Sequence, residues 1–107
     1  MDKNSKNKNL CPVSYCMQMI GGKWKPVILY QLHRGNNRFG MLYNAIDEIN
    51  KQMLAKQLRE LEQDGILERK VYPEIPPRVE YYFTDMGHEL YPIIDRMRMW
   101  GEENMSD

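Results

Sequence analysis

The chain has 107 residues, enough for one small domain, and 42% hydrophobic residues with Gly 7 and Pro 6, which excludes a disordered tail or a repeat array. Lys+Arg 15 balance Asp+Glu 15, which excludes a globally basic binder, yet the charge is polarised, +6 over residues 1–46, −2 over 47–80 and −4 over 81–107. The polar start MDKNSKNKNL and the absence of a run of roughly 18 apolar residues exclude a signal peptide and a membrane span, pointing to the cytoplasm and no membrane partner; Cys11 and Cys16 are too few for a disulfide framework or a zinc cluster.

Residues 1–10 read as a flexible basic tail, and 11–107 as the folded domain. A short helix follows Cys11, with Val13, Cys16, Met17 and Ile20 on one side and Gly21 and Gly22 ending it. From Lys23 to Leu32 a second helix can align Trp24, Val27, Ile28 and Leu32, with Pro26 tolerated in its first turn. Gly35, Asn36 and Asn37 form a turn, after which Phe39, Leu42, Tyr43 and Ile46 have helical spacing. A break over Asp47–Asn50 precedes a longer helix from Lys51 to Gln63, capped by Asn50, buried through Leu54, Leu58 and Leu61, widened by Met53 and stopped by Gly65.

Two strands follow, Ile66–Tyr72 and Arg78–Thr84. In the second, Val79, Tyr81 and Phe83 alternate with Arg78, Glu80 and Tyr82, and Pro73, Pro76 and Pro77 stiffen the hairpin tip. Leu90, Ile93, Ile94, Met97 and Trp100 then mark a long C-terminal helix starting near Asp85, with Pro92 bending it or removing one hydrogen bond. The fold class is mainly α with a small β-hairpin, in the element order of a winged helix-turn-helix. The apolar stripes of the outer helices exceed what so small a core can hide, which favours a C2 homodimer over a monomer, with Val13, Leu90, Ile94, Met97 and Trp100 at its interface.

The segments CPVSYCMQMIGGKWKPVILYQL, RFGMLYNAI and MLAKQLRELEQDGILERKVYPEIPPRVEYYFTDMGHELYPII, from Cys11 to about Trp100, resemble the HxlR family of bacterial winged-helix transcriptional regulators. The ordered set GGKW, RF, LxxQLRELExDG and VYPExPPRVEY carries the resemblance. It implies a homodimer built by the N- and C-terminal helices, two winged helices on the half-sites of a near-palindromic operator, a recognition helix at about Lys51–Gln63 and a wing at Tyr72–Arg78.

A helix tied to the core by one face can push the other into a major groove, where residues near its start meet base edges. Asn50, Lys51, Gln52, Ala55 and Lys56 are the contact candidates, Lys51 and Gln52 for bases and Lys56 for bases or phosphate; Arg59 reads equally as a salt-bridge partner of neighbouring glutamates. The family commonly has Ser or Thr where this chain has Asn50, which can also cap, and a basic residue where it has Gln52, so its operator need not match those of relatives. Arg78 can reach the minor groove or a phosphate, or pair with Glu80 or Glu74; Arg38 and Lys25, at helix starts, can meet phosphate or simply solvate the surface, with Arg38 the better candidate.

Cys11 and Cys16 lie about 140° apart around a helix, so an intrachain disulfide would unwind it. Cys11 reads either as a thiolate stabilised by the helix start and Lys8 or as a small buried residue at the dimer seam. It matches the N-terminal cysteine that, in several members of the resembling family, reacts with oxidants or electrophiles and changes DNA affinity, which assigns it a redox-sensing role. Trp24, Tyr30, Tyr43, Tyr91 and Trp100 could line a pocket for an aromatic effector or serve as core and interface. His33 and His88 have no partner motif, so no enzymatic site, cofactor or metal is expected. The rival function is a winged-helix protein–protein interaction module without specific DNA binding.

Overall fold

A computed structural model describes residues 10–106. The expected basic tail, apart from Leu10, and the expected influence of Lys8 on Cys11 therefore lie outside the described residues.

Helix α1 (Pro12–Ile20) packs its last residue, Ile20, into the core and leaves Val13 and Met17 exposed. Helices α2 (Lys25–His33) and α3 (Phe39–Ala45) follow, with Ile28, Leu29, Leu32 and Leu42 buried. Helix α4 (Lys51–Gln63) has the predicted bounds. Its cap is Asn50, whose Oδ1 accepts from the Met53 N–H at 2.7 Å and satisfies one orphan donor. Leu54, Leu58 and Leu61 are each within 1% of full burial, and such side chains contribute roughly 1.5–3 kcal/mol apiece in transfer free energy. With Ile46 and Ile49 they seat α3 and α4 as a helix-turn-helix. Gly65, at φ +79°, ends α4 in the left-handed region where a side chain would be strained.

Strands β1 (Leu67–Tyr72) and β2 (Arg78–Phe83) pair antiparallel from Leu67 opposite Phe83 to Tyr72 opposite Arg78. Thr84 then caps α5 (Asp85–Asn104): its Oγ1 accepts from the Gly87 N–H at 3.1 Å and donates to the Gly65 carbonyl at 2.5 Å. A Cβ on Gly87 would stand 2.3 Å from the Ile66 carbonyl oxygen, so the close approach of α5 to the strand entry requires glycine. Helix α5 runs unbroken through Pro92, which lacks the N–H that would otherwise bond within the helix.

Three expectations need correction. In α2 the buried face holds Lys25, Ile28, Leu29 and Leu32, while Val27 is exposed; the helix is apolar almost all round, so spacing did not define its face. In β2 Tyr81 and Phe83 pack against the core as the alternation implies, but the most buried residue is Glu80, on the other side, because Arg38, Arg78 and Tyr82 cover it. In α5 Ile94 is buried at 3% exposure, at the floor of the groove between α2 and α5, so its main contacts are within its own chain; Ile93, one position earlier, lies on the exposed face with Met86, Met97 and Trp100. Among the described residues no helix is long and apolar enough to cross a membrane.

Candidate nucleic-acid interface

Because Leu54, Leu58 and Leu61 fix one side of α4 to the core, its opposite side faces solvent along Asn50, Lys51, Gln52 and Lys56. Ala55 lies between them, half-buried, a small side chain that allows close approach. Lys51 Nζ stands 5.4 Å from the centre of the Tyr43 ring, so a cation–π contact with α3 orients it. The three long polar side chains and the cap thus share the first turns of one helix.

Further along, Arg59 makes no ion pair among the described residues, contrary to the reading as a salt-bridge partner of its neighbours. Glu60 instead pairs with Lys25, and Glu62 approaches Arg69 at 3.9 Å. Arg59, Arg69, Ala55, Phe39 and Tyr81 line a cleft of about 270 Å³ between α4 and the hairpin. Lys25, weighed as a phosphate contact, is buried at 8% exposure with Nζ 2.7 Å from Glu60 Oε1; it ties α2 to α4 rather than facing solvent.

The wing loop joins β1 to β2 beside the start of α3. Arg78 pairs with both acids weighed for it, Glu74 at 3.0 Å and Glu80 at 3.0 Å, and its guanidinium lies 3.9 Å from the centre of the Tyr72 ring. Arg38, the residue before α3, reaches the same Glu80 Oε2 through Nε at 3.3 Å and Nη2 at 3.2 Å. The Tyr82 hydroxyl donates to Glu80 Oε1, and this bond, followed by those from the two arginines, holds the Glu80 carboxyl below the usual carboxylate range despite desolvation. Half of the Arg38 side chain remains exposed, 49%, against 31% for Arg78. Sequence reasoning missed Glu80 as an organising residue; the only signal was its two-residue offset from Arg78.

Cys11 is the cap of α1 and is exposed. Its Sγ lies 3.1 Å from Ser14 Oγ and accepts from the Ser14 N–H at 3.3 Å. These two bonds, the side-chain one first, lower the thiol from its ordinary value. Ser14 had no signal beyond its place three residues after a helix start. Cys16 is half-buried against the core.

The aromatic residues do not form one pocket. Tyr91 is buried and stacks on His33 at 3.8 Å, Trp24 packs against the core, Tyr43 lies beneath Lys51, and Trp100 is 68% exposed. Tyr30 lines an apolar groove of about 460 Å³ between α2 and α5, with Val27, Met97 and Met105. Of the expected interface residues, Val13 is 72% exposed, Met97 43% and Trp100 68%, while Leu90 is half-buried.

Comparison with known proteins gives the family and the fold. The model of the HxlR-like helix-turn-helix family matches residues 19–107. An uncharacterized HTH-type transcriptional regulator, YybR of Bacillus subtilis (strain 168), is 46% identical over 98 residues, 92% of this chain and 78% of that protein. The structure of the redox regulator HypR in its oxidized form superposes with TM-score 0.86 at 44% identity, covering 91% of this chain and 100% of that one. Diamide-treated YodB from B. subtilis gives TM-score 0.72 at 33% identity, covering 92% and 99%. With a capped helix-turn-helix, a wing braced against it and these matches over nearly its whole length, the chain belongs to the HxlR-like helix-turn-helix family.

Proposed function

We propose that this protein is a sequence-specific double-stranded-DNA-binding transcriptional repressor that acts as a homodimer on a near-palindromic operator. The observation that carries the reading is the solvent face of α4, where Asn50, Lys51, Gln52 and Lys56 surround the small Ala55 at the start of a core-anchored helix. The Gln52 amide can donate to and accept from an adenine edge, and Lys51 can donate to guanine acceptors. Lys56 serves a base or phosphate, Arg38 the backbone, and Arg78 the minor groove or a flanking phosphate beside the wing.

The second subunit is supplied by the exposed apolar faces of α1 and α5: Val13 on the first, Met97 and Trp100 on the second, with Leu90 and the buried Ile94 supporting the latter from beneath. An apolar surface of this kind marks an association site, and two-fold symmetry matches two half-sites.

Cys11 tunes the affinity. Its exposure and its lowered thiol favour attack by oxidants or electrophiles, and the similar structures HypR and YodB are described respectively as a redox regulator in its oxidized form and as diamide-treated. With diamide, two thiols each lose a proton and one electron and form an intersubunit disulfide, while diamide takes up both as its hydrazine. A non-reducing gel after diamide, with Cys11→Ser and Cys16→Ser controls, tests this step. A dimer band lost with Cys11→Ser supports it, and an unchanged monomer band refutes the disulfide.

DNA binding is tested by mobility shift on the intergenic duplex beside the gene at increasing salt. Affinity should fall steeply as counterions are retained at the phosphates. No duplex-selective binding at low salt by the folded protein would refute the reading.

A further inference from the structure

Glu80 is a carboxylate in a place where a DNA-binding surface should have none. It lies in β2, at the stem of the wing, with its side chain 9% exposed, and receives three donors: Arg38 from the entry to α3, Arg78 from the wing stem, and Tyr82 from its own strand. Tyr82 is in turn 3.5 Å from the Tyr72 hydroxyl across the hairpin. One backbone bond runs parallel to these links, from the Tyr81 N–H to the Asn37 carbonyl at 2.8 Å. The base of the hairpin is held to α4 by the buried Leu67 and by Arg69 near Glu62, and its wing stem is held to the entry of α3 at the junction of residues 37–38 with residues 80–81.

A negative charge beside phosphate-facing arginines weakens their attraction for DNA, so its value here must be geometric. Arg38 presents one edge of its guanidinium to Glu80, and the donors not used there remain available at its exposed side. Arg78 is more fully engaged, by Glu74 and Glu80 together and by the Tyr72 ring.

We propose that Glu80 is a positioning residue for DNA recognition: its carboxylate clamps Arg38 and Arg78 into one fork and so fixes where the wing stands relative to the recognition helix. The proposal rests on the DNA-binding reading above. In this arrangement the wing and α4 meet one half-site in a fixed register, and the ordering of both arginines precedes binding.

The test separates charge from geometry. A duplex is first selected from a random-sequence library by the unaltered protein, and a scrambled duplex of the same composition serves as the nonspecific probe. If no sequence is enriched, the DNA-binding reading fails, and this proposal with it. If one is enriched, Glu80→Gln, which removes the negative charge and keeps the shape, is measured on both probes. Charge alone predicts tighter binding to both duplexes. The positioning role predicts that affinity for the selected duplex falls by about tenfold, the scale of one lost positioned contact, while affinity for the scrambled one holds or rises. Hydroxyl-radical protection should disappear at the wing-side phosphates and persist where α4 sits.

Tyr82→Phe removes one donor without changing charge and should lower selected-duplex affinity in the same sense but less. It decides the matter if Glu80→Gln does not fold. Equal tightening on both probes with an intact footprint, or equal weakening on both by a folded variant, would overturn the proposal.

Discussion

Replacing Lys25 with Met removes the ammonium that pairs with Glu60 across α2 and α4 while keeping most of the packing of its stem. The pair is short, 2.7 Å, with the Lys25 side chain 10% exposed and that of Glu60 36%. Breaking a fully buried pair costs about 3–5 kcal/mol, and an exposed pair contributes about 0–1 kcal/mol. Glu60 keeps enough water that the cost should fall between these limits, about 1–2 kcal/mol at neutral pH. The hydrogen bond from Lys25 holds the Glu60 carboxyl below its ordinary value, against desolvation that raises it. A carboxyl whose folded value lies below the unfolded value of about 4.3 contributes its full stability above that pH and loses it as pH falls through the folded value. Urea unfolding of the two proteins, at one fixed protein concentration, should therefore show a gap at pH 7 that closes on acidification below about pH 4. Adding Glu60→Gln to Lys25→Met should recover part of the loss. A variant as stable as the parent at pH 7, a gap that persists into acid, or strictly additive single changes would refute this account of the pair.

Asn50→Ala should cost about 1 kcal/mol by removing the acceptor for the Met53 N–H, whereas Asn50→Ser keeps a capping oxygen and most of the stability; equal losses in urea unfolding would contradict the cap. Ser14→Ala should raise the Cys11 thiol, slow its alkylation by iodoacetamide at neutral pH and move the pH–rate midpoint upward; superimposable profiles would show that Ser14 does not tune it. Trp100→Lys should shift the protein towards monomer in light scattering after size exclusion, and an unchanged dimer mass would remove α5 from the interface.

Helix α4 was legible because three independent signals coincide in it: a capping Asn50, leucines at helical spacing and a terminating Gly65. Helix α2 was legible as a helix but not in orientation, since the consecutive Val27, Ile28, Leu29 and Tyr30 leave no polar face to set against an apolar one. The burial of Lys25 was invisible for a related reason: its partner Glu60 lies on another helix, and no local spacing links residues so far apart. Alternation in β2 identified the strand and its core-packed Tyr81 and Phe83 but not the burial of Glu80, which is covered by an arginine at the entry to α3 that period-two reasoning does not include. The family resemblance singled out α4 as the recognition helix and position along it gave the DNA-facing candidates on that helix, whereas the clamp behind the wing needed the fold to bring residues 38, 78, 80 and 82 together.

The central claim is that the solvent face of α4, presented twice by a dimer, reads a DNA sequence. Fluorescence anisotropy with an inverted-repeat duplex chosen by the protein itself, over a salt series and beside a scrambled control, tests it most directly. The account predicts selective binding that weakens steeply with salt, a changed base preference for Gln52→Ala or Lys51→Ala, and a more uniform loss for Arg38→Ala. Equal affinity for the two duplexes, or selectivity untouched by Gln52→Ala and Lys51→Ala in the folded dimer, would contradict it.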